Sequence, residues 1–341
     1  MLYKLKEGLR LAEKISITKI RNLFVLYISY LFSRSLGKVY QFGKPFAIAI
    51  EPTTICNLQC PECPSGIRSF TRSTGNLSYS DFTKIIDSVY QELCYLTLYF
   101  QGEPYMNKDL LRMISYANSK KIFTVTSTNA HFLNENKAKS TIESGLDKLI
   151  ISIDGYDQET YEKYRIGGNL EKVINGIKKL VRWRKLLGKS NPIIIMQFLV
   201  FKSNQHQIDD MKKFAIQLEV DQIKFKTAQI YDYINKGELI PDNPRYSRYQ
   251  IRPGGNYLIN NSLVNHCWRM WSSSVITWDG RIVPCCFDKD ANYQIGNLKV
   301  SSFHKIWFSQ EYKNFRGKVL LSRREIDICS NCTEGTKIWA R

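Results

Sequence analysis

The sequence predicts an α/β protein, a partial (β/α)6 barrel over residues 46–230 followed by a small cysteine-rich α+β unit over 265–341. Three observations carry this. Six short apolar runs alternate with amphipathic segments of helical length. Polar residues and cysteines collect just past the ends of those runs. Five of the nine cysteines fall in the last part of the chain, around hairpin and turn signals.

The apolar runs are Phe46–Ile50, Leu96–Phe100, Ile122–Thr126, Lys148–Ile153, Ile193–Val200 and Gln222–Lys226. Between them lie Ser80–Glu92, Leu110–Ser119, Glu135–Ser144, Leu170–Leu187 and Gln207–Leu218. Strands that alternate with helices make βαβ units and hence a parallel sheet. An open doubly wound sheet is the competing arrangement. Cys56, Gly102, Glu103, Asn129 and Asp154 each sit at or beyond the end of successive strands. Such convergence on one mouth favours a barrel.

Composition sets limits before any motif does. With 43% hydrophobic and 23% charged residues the chain belongs to the globular class, not the disordered one. A formal charge of +18 favours anionic partners without choosing among them. A nucleic-acid binder is disfavoured, because the one segment that interleaves basic and aromatic residues, 3–38, reads better as an amphipathic arm. An odd number of tightly spaced cysteines points to metal ligation in a reducing compartment, so cytoplasm is the expected location.

The segment Glu51–Cys63 follows the first strand and sets Cys56, Cys60 and Cys63 at x3 and x2 spacings. Three thiolates can ligate three irons of a cubane cluster and leave the fourth open. A structural zinc site, the alternative, closes its shell with four ligands. This pattern after strand one of a six-unit barrel resembles the radical S-adenosylmethionine (SAM) superfamily over about residues 46–230. The resemblance implies a [4Fe–4S] cluster whose open iron binds SAM. It implies reductive cleavage of SAM to a 5′-deoxyadenosyl radical that abstracts a substrate hydrogen, with flavodoxin or ferredoxin as reductant.

Other positions follow from the same resemblance. Gln101, Gly102, Glu103 and Pro104 resemble the G-G-E-P motif that holds the SAM amino group, with glutamine replacing the first glycine. Ser127–Asn129 resembles a segment that lines the SAM pocket. Ser152 and Asp154 stand where strand-four polar groups meet the ribose, and Gln197 is placed to reach the same pocket. The family's usual aromatic residue before the third cysteine is Glu62 here, which leaves adenine to backbone and apolar strand ends.

The tail carries Cys267, Cys285, Cys286, Cys329 and Cys332. Val275–Cys285 reads as a hairpin with Asp279-Gly280 as a two-residue turn. Cys267, Cys285, Cys329 and Cys332 form a complete shell for a cluster or a zinc ion. Cys286 is the alternative to Cys285, since adjacent strand residues face opposite ways. The spacing behind such a barrel resembles the SPASM/Twitch extensions, and the Twitch form implies one auxiliary [4Fe–4S] cluster. It also resembles the spacing of an aminocyclitol dehydrogenase. That implies two-electron oxidation of a small sugar-like or lipid-linked substrate. Peptide maturation is the second enzyme reading, and a non-catalytic iron–sulfur electron carrier is the reading from another class. Residues 231–264, rich in Tyr, Asn and Pro, form a linker that is a candidate cover for the barrel mouth.

Residues 1–45 form a basic arm. Nine Lys and Arg face only Glu7 and Glu13 up to residue 44, around an uncharged run from Leu23 to Phe32. Ten residues cannot span a bilayer, which takes about 20. A signal peptide would need a small-x-small cleavage site that the following residues do not supply. The expectation is an amphipathic helix that packs on the barrel or lies on the inner face of the membrane.

Overall fold

The computed structural model describes residues 2–334 apart from 235, 236 and 254, with side chains from residue 5 onward. The last part of the cysteine-rich unit, 335–341, lies outside the described residues. Six parallel strands form the centre: β1 (Ala47–Ile50), β2 (Tyr95–Thr97), β3 (Phe123–Thr128), β4 (Lys148–Ser152), β5 (Ile193–Val200) and β6 (Gln222–Thr227). Their β-branched and aliphatic content suits strands covered on both faces. Helices Tyr79–Val89, Leu110–Ser119, Glu135–Glu143, Leu170–Leu186 and Ile208–Gln217 return the chain between them. Ser78, Asn134 and Asn169 cap three of these by accepting a backbone N–H of the first turn. Each helix buries one apolar face, such as Val173, Ile177, Leu180 and Val181, at about 2 kcal/mol per large side chain.

Four features depart from the sequence reading, the last of them in the hairpin described below. The second strand stops at Thr97 instead of Phe100, because the chain turns there toward the loop around Gly102. An extra short helix, Gln158–Tyr164, precedes the long one and is capped by Asp157. The tail does not build a sheet of its own. Residues 231–264 contain an antiparallel pair, β7 (Tyr249–Ile251) and β8 (Tyr257–Ile259). Then β9 (Ser273–Ile276) runs parallel to β1, with β10 (Arg281–Val283) and β11 (Gly296–Asn297) beyond it. The result is one nine-stranded sheet in the order β11-β10-β9-β1-β2-β3-β4-β5-β6.

The hairpin between β9 and β10 has a three-residue loop rather than the two-residue turn. Thr277 and Arg281 close it through a backbone bond of 2.9 Å, and Gly280 takes φ +85°. Thr277 Oγ1 binds Asp279 at 2.6 Å and accepts the N–H of Arg281, which fixes the longer loop.

The amino-terminal arm forms α1 (Leu2–Ala12) and α2 (Ile17–Leu36). Both lie against the amino ends of the strands. Arg10 and Lys14 pair with Asp147 just before β4, and Lys148 pairs with Glu7. Further along, Leu26 and Tyr30 of α2 pack with Trp268, Trp271 and Phe315 of the tail.

Candidate active site and the second cysteine set

The loop after β1 is fixed from below by a buried ion pair. Arg72 donates two bonds to Glu51, at 2.8 and 2.6 Å, and neither side chain is more than 1% exposed. Trp278 N–H adds a third bond to the same carboxylate from the tail. Removing one partner of a buried pair strands the other charge. Arg72→Ala is expected to cost about 3–5 kcal/mol, read as a lower midpoint in chemical denaturation of the full chain.

Above this pair, Cys56, Cys60 and Cys63 gather with Leu58, Tyr164, Phe201 and Leu239 in one apolar cluster. Burial pushes the Cys56 thiol up to about 11, and it also raises Cys60. Such sulfurs resist ionisation unless positive charge meets them. Iron supplies that charge, so the donor set fits a cluster. Among the described residues no three His, Cys, Asp or Glu side chains converge on the position of one metal ion. Thiolates that each take a separate iron of a cubane need not converge so tightly.

Gly102 shows why its loop bends as it does. It takes φ +72°, and a Cβ there would lie 2.4 Å from Thr53 O in the cysteine loop. Gly102 N–H donates to Ser65 at 2.8 Å, and Glu103 N–H donates to Ile55 O at 2.8 Å. The two loops are therefore one unit. Pro104 opens the short turn that follows, capped by Glu103 through Tyr105 N–H.

The Glu103 carboxylate is 2% exposed and accepts from Tyr105 N–H, Thr128 Oγ1 at 2.8 Å and Asn129 N–H at 2.7 Å. Burial pushes it up to about 7, against those bonds and Arg165, which pull it down. An ionised carboxylate has about four acceptor sites, so room remains for one more donor. Asn129 reaches back to Asn57 of the cysteine loop at 2.8 Å. Ser152, at the end of β4, sits in register with Gln197 inside β5, with Lys224 of β6 next in the row.

Asp154 is placed differently from the ribose contact that the resemblance implied. It is fully buried, and its oxygens take Arg165 Nε at 2.6 Å and Leu199 N–H at 2.7 Å. Arg165 in turn points Nη1 at Cys60 Sγ, 3.8 Å away. Asp154 thus positions a cation beside Cys60, a candidate cluster ligand. Nothing in the sequence marks Arg165, which sits in an ordinary helix end. Glu62 accepts from Tyr231 N–H at 2.8 Å, so the linker is anchored on the cysteine loop. Leu239 of the same linker packs on it.

The tail cysteines meet in a second cavity. Cys267, Cys285, Cys329 and Cys332 line it together with Arg269 and Arg323. Arg323 is 1% exposed and donates to Cys332 Sγ at 3.4 Å, while its Nε is buried without a partner. Burial pushes Cys329 up to about 12. An Nε–H without a partner beside four buried or half-buried cysteines is what a bound anionic cluster would complete. Cys286 packs on the cluster of Val275, Val283 and Ala291, in hydrogen-bond reach of Cys285, with Arg269 Nη1 3.4 Å from its sulfur. The structure thus puts Cys285, not Cys286, in the cavity. Cys94 is buried next to the arm, away from both sites.

Comparison with known proteins agrees with this arrangement. Residues 50–214 match the radical SAM superfamily, and residues 267–333 match the iron-sulfur cluster-binding SPASM domain. A tungsten-containing aldehyde ferredoxin oxidoreductase cofactor-modifying protein of Pyrococcus furiosus is 26% identical over 78% of this chain and 82% of its own length. PqqA peptide cyclase of Bradyrhizobium diazoefficiens is 26% identical over 59% of this chain, which spans about half (51%) of that relative. Among solved structures, Streptococcus suis SuiB bound to S-adenosylmethionine has a TM-score of 0.63 at 15% identity, over 85% of this chain and 71% of its own. BtrN in complex with AdoMet and 2-DOIA has a TM-score of 0.52 at 17% identity, over 86% and 95%. A [4Fe–4S] cluster, SAM and an auxiliary iron–sulfur cluster are its cofactors. The chain is a radical SAM enzyme with a SPASM-type auxiliary domain.

Proposed function

We propose that the enzyme oxidises a carbinol of a small sugar-like molecule, free or lipid-linked, by two electrons. The observation that carries this reading is the four-cysteine cavity mounted on the barrel's own sheet through β9 and β1. When bound, SAM and the two clusters supply a radical and an electron acceptor. In balance, the carbinol C–H leaves as a hydrogen atom and the O–H loses its proton. One electron passes to the auxiliary site, and a carbonyl remains. The fold likeness to BtrN, whose structure holds AdoMet and 2-DOIA, supports it.

The chain's own residues have defined tasks in this reading. Glu103 keeps one acceptor site for the SAM ammonium, and the Gly102 loop sets its distance from the cysteine loop. Ser152, Gln197 and Asn129 offer polar groups at the mouth. Arg165, held by Asp154, keeps positive charge beside Cys60. Leu239 and Tyr231 cover the cysteine loop and keep water out.

The test is deuterium transfer into 5′-deoxyadenosine by reduced, anaerobic enzyme given SAM and deuterated extract fractions. Label from the polar-metabolite or lipid fraction supports the proposal, and label from peptide alone overturns it. A peptide substrate is the second reading. It is favoured by the peptide named for one relative.

The buried Glu103 gives a pH signature. Ionisation near 7 creates the acceptor that an ammonium prefers, so SAM affinity is expected to rise between about pH 6 and 8. Glu103→Gln is expected to bind SAM roughly tenfold more weakly at the upper end, as loss of a charge-assisted hydrogen bond implies, and to show no such rise. Equilibrium binding at several pH values reads both.

A further inference from the structure

Helices α1 and α2 are mounted with their polar sides inward. The buried residues of α2 are Lys19, Asn22, Leu26, Ser29, Tyr30 and Ser33. Its outward residues are Ile17, Ile20, Phe24, Tyr27 and Phe32, exposed by 85, 58, 64, 38 and 49%. The first four repeat at spacings of three and four and so share one helix face. In α1 the charged Glu7 and Arg10 face the barrel, while Leu5 and Leu9 are 65 and 57% exposed. A surface helix in water has the reverse polarity.

The orientation is locked by directional bonds. Asn22 exchanges two bonds with the Lys44 backbone, at 2.9 and 2.8 Å. Lys19 Nζ donates to Lys14 O and Lys121 O. Tyr30 pairs with His266 at 2.8 Å, and Trp271 Nε1 donates to Ser33 at 3.1 Å. Neither helix can roll its apolar face inward without breaking these. With about 200 Å² per large side chain, α2 alone exposes on the order of 500 Å² of apolar surface, at the upper end for a soluble monomer.

We infer that this face docks the enzyme on an anionic lipid bilayer. Charge selects that occupant. Arg21, Arg34 and Lys38 are exposed around the apolar stripe, and residues 1–44 carry nine basic against two acidic side chains. Aromatic and aliphatic groups rimmed by cations are the chemistry of an interfacial helix. The arm lies on the surface and does not cross. Among the described residues no single helix is long and apolar enough to span, and α1 and α2, which reach that length and apolarity only together, are bent by 109° and held to the barrel by their polar sides. Docked this way, the barrel's amino ends face the lipid, and the cysteine mouth stands off by roughly 20 Å, one strand length.

The test is co-sedimentation of the full-length, cluster-loaded enzyme with vesicles of phosphatidylcholine alone or mixed with phosphatidylglycerol. Binding to the anionic vesicles that weakens with salt is expected. Ile20→Asp with Phe24→Asp should cut the partition coefficient at least tenfold, and Arg21→Glu with Lys38→Glu should cut it only on anionic vesicles. Both should keep iron content and SAM cleavage, since the altered groups face outward. Wild-type enzyme left in the supernatant with every vesicle overturns the inference. So does a dimer in sedimentation velocity that the Asp variant dissolves without any vesicle binding, which would assign the face to a second copy.

Discussion

Cys60→Ser is expected to abolish 5′-deoxyadenosine formation and to remove about half of the bound iron. The three thiolates of the first set leave no spare ligand, so the loss of one opens the cluster. Cys60 is also the sulfur that Arg165 addresses, at 3.8 Å, from its anchor on Asp154. Ser places a harder, poorly ionised oxygen at that point in a buried pocket. Iron and sulfide analysis with product chromatography checks the result, and residual iron should match a single cluster. Retained turnover would sink the assignment. Arg165→Lys should be milder, because it keeps the charge and loses the fixed geometry.

Arg323→Leu is expected to empty the auxiliary site while SAM cleavage continues. The guanidinium lies within 3.4 Å of Cys332 and also donates to the His266 and Glu334 carbonyls. It therefore holds two ends of the cysteine cavity and offsets thiolate charge in a medium of low dielectric. Without it, four ionised sulfurs would face one another with Arg269 as the nearby compensating cation. Product formation should fall by two orders of magnitude or more (about 3 kcal/mol, the usual cost of stripping a buried charge of its partner). Cys329→Ala should give the same split. Equal loss of cleavage and product in both variants would mean that the tail serves folding alone.

Much of the chemistry was legible because it is local. Cysteine spacings and the Gly102-Glu103-Pro104 turn are short-range patterns, and the apolar runs located every central strand to within a few residues. What escaped needs the third dimension. Arg323 and Arg324 are neighbours in one basic run, yet the first is buried and the second exposed. Arg165 becomes special only when Asp154 and Cys60 meet it. Strand alternation left Cys285 and Cys286 open, but both lie in the turn just beyond β10, and only Cys285 lines the cavity. The polarity of the arm was also unreadable, since a sequence shows that a helix has two faces but not which one turns inward.

The pairing of β9 with β1 has a consequence for the order of events during synthesis. The strand that presents the cysteine loop precedes the other central strands, but its neighbour on one side, Ser273–Ile276, is made only after all six of them. Trp278 also joins the Glu51 carboxylate only at that stage. Until then β1 has one open edge, and contacts of such long sequence separation close slowly. The support of the cysteine loop from that side is therefore in place only after Trp278 has been made. A nascent or truncated barrel would expose that edge as a template for aggregation.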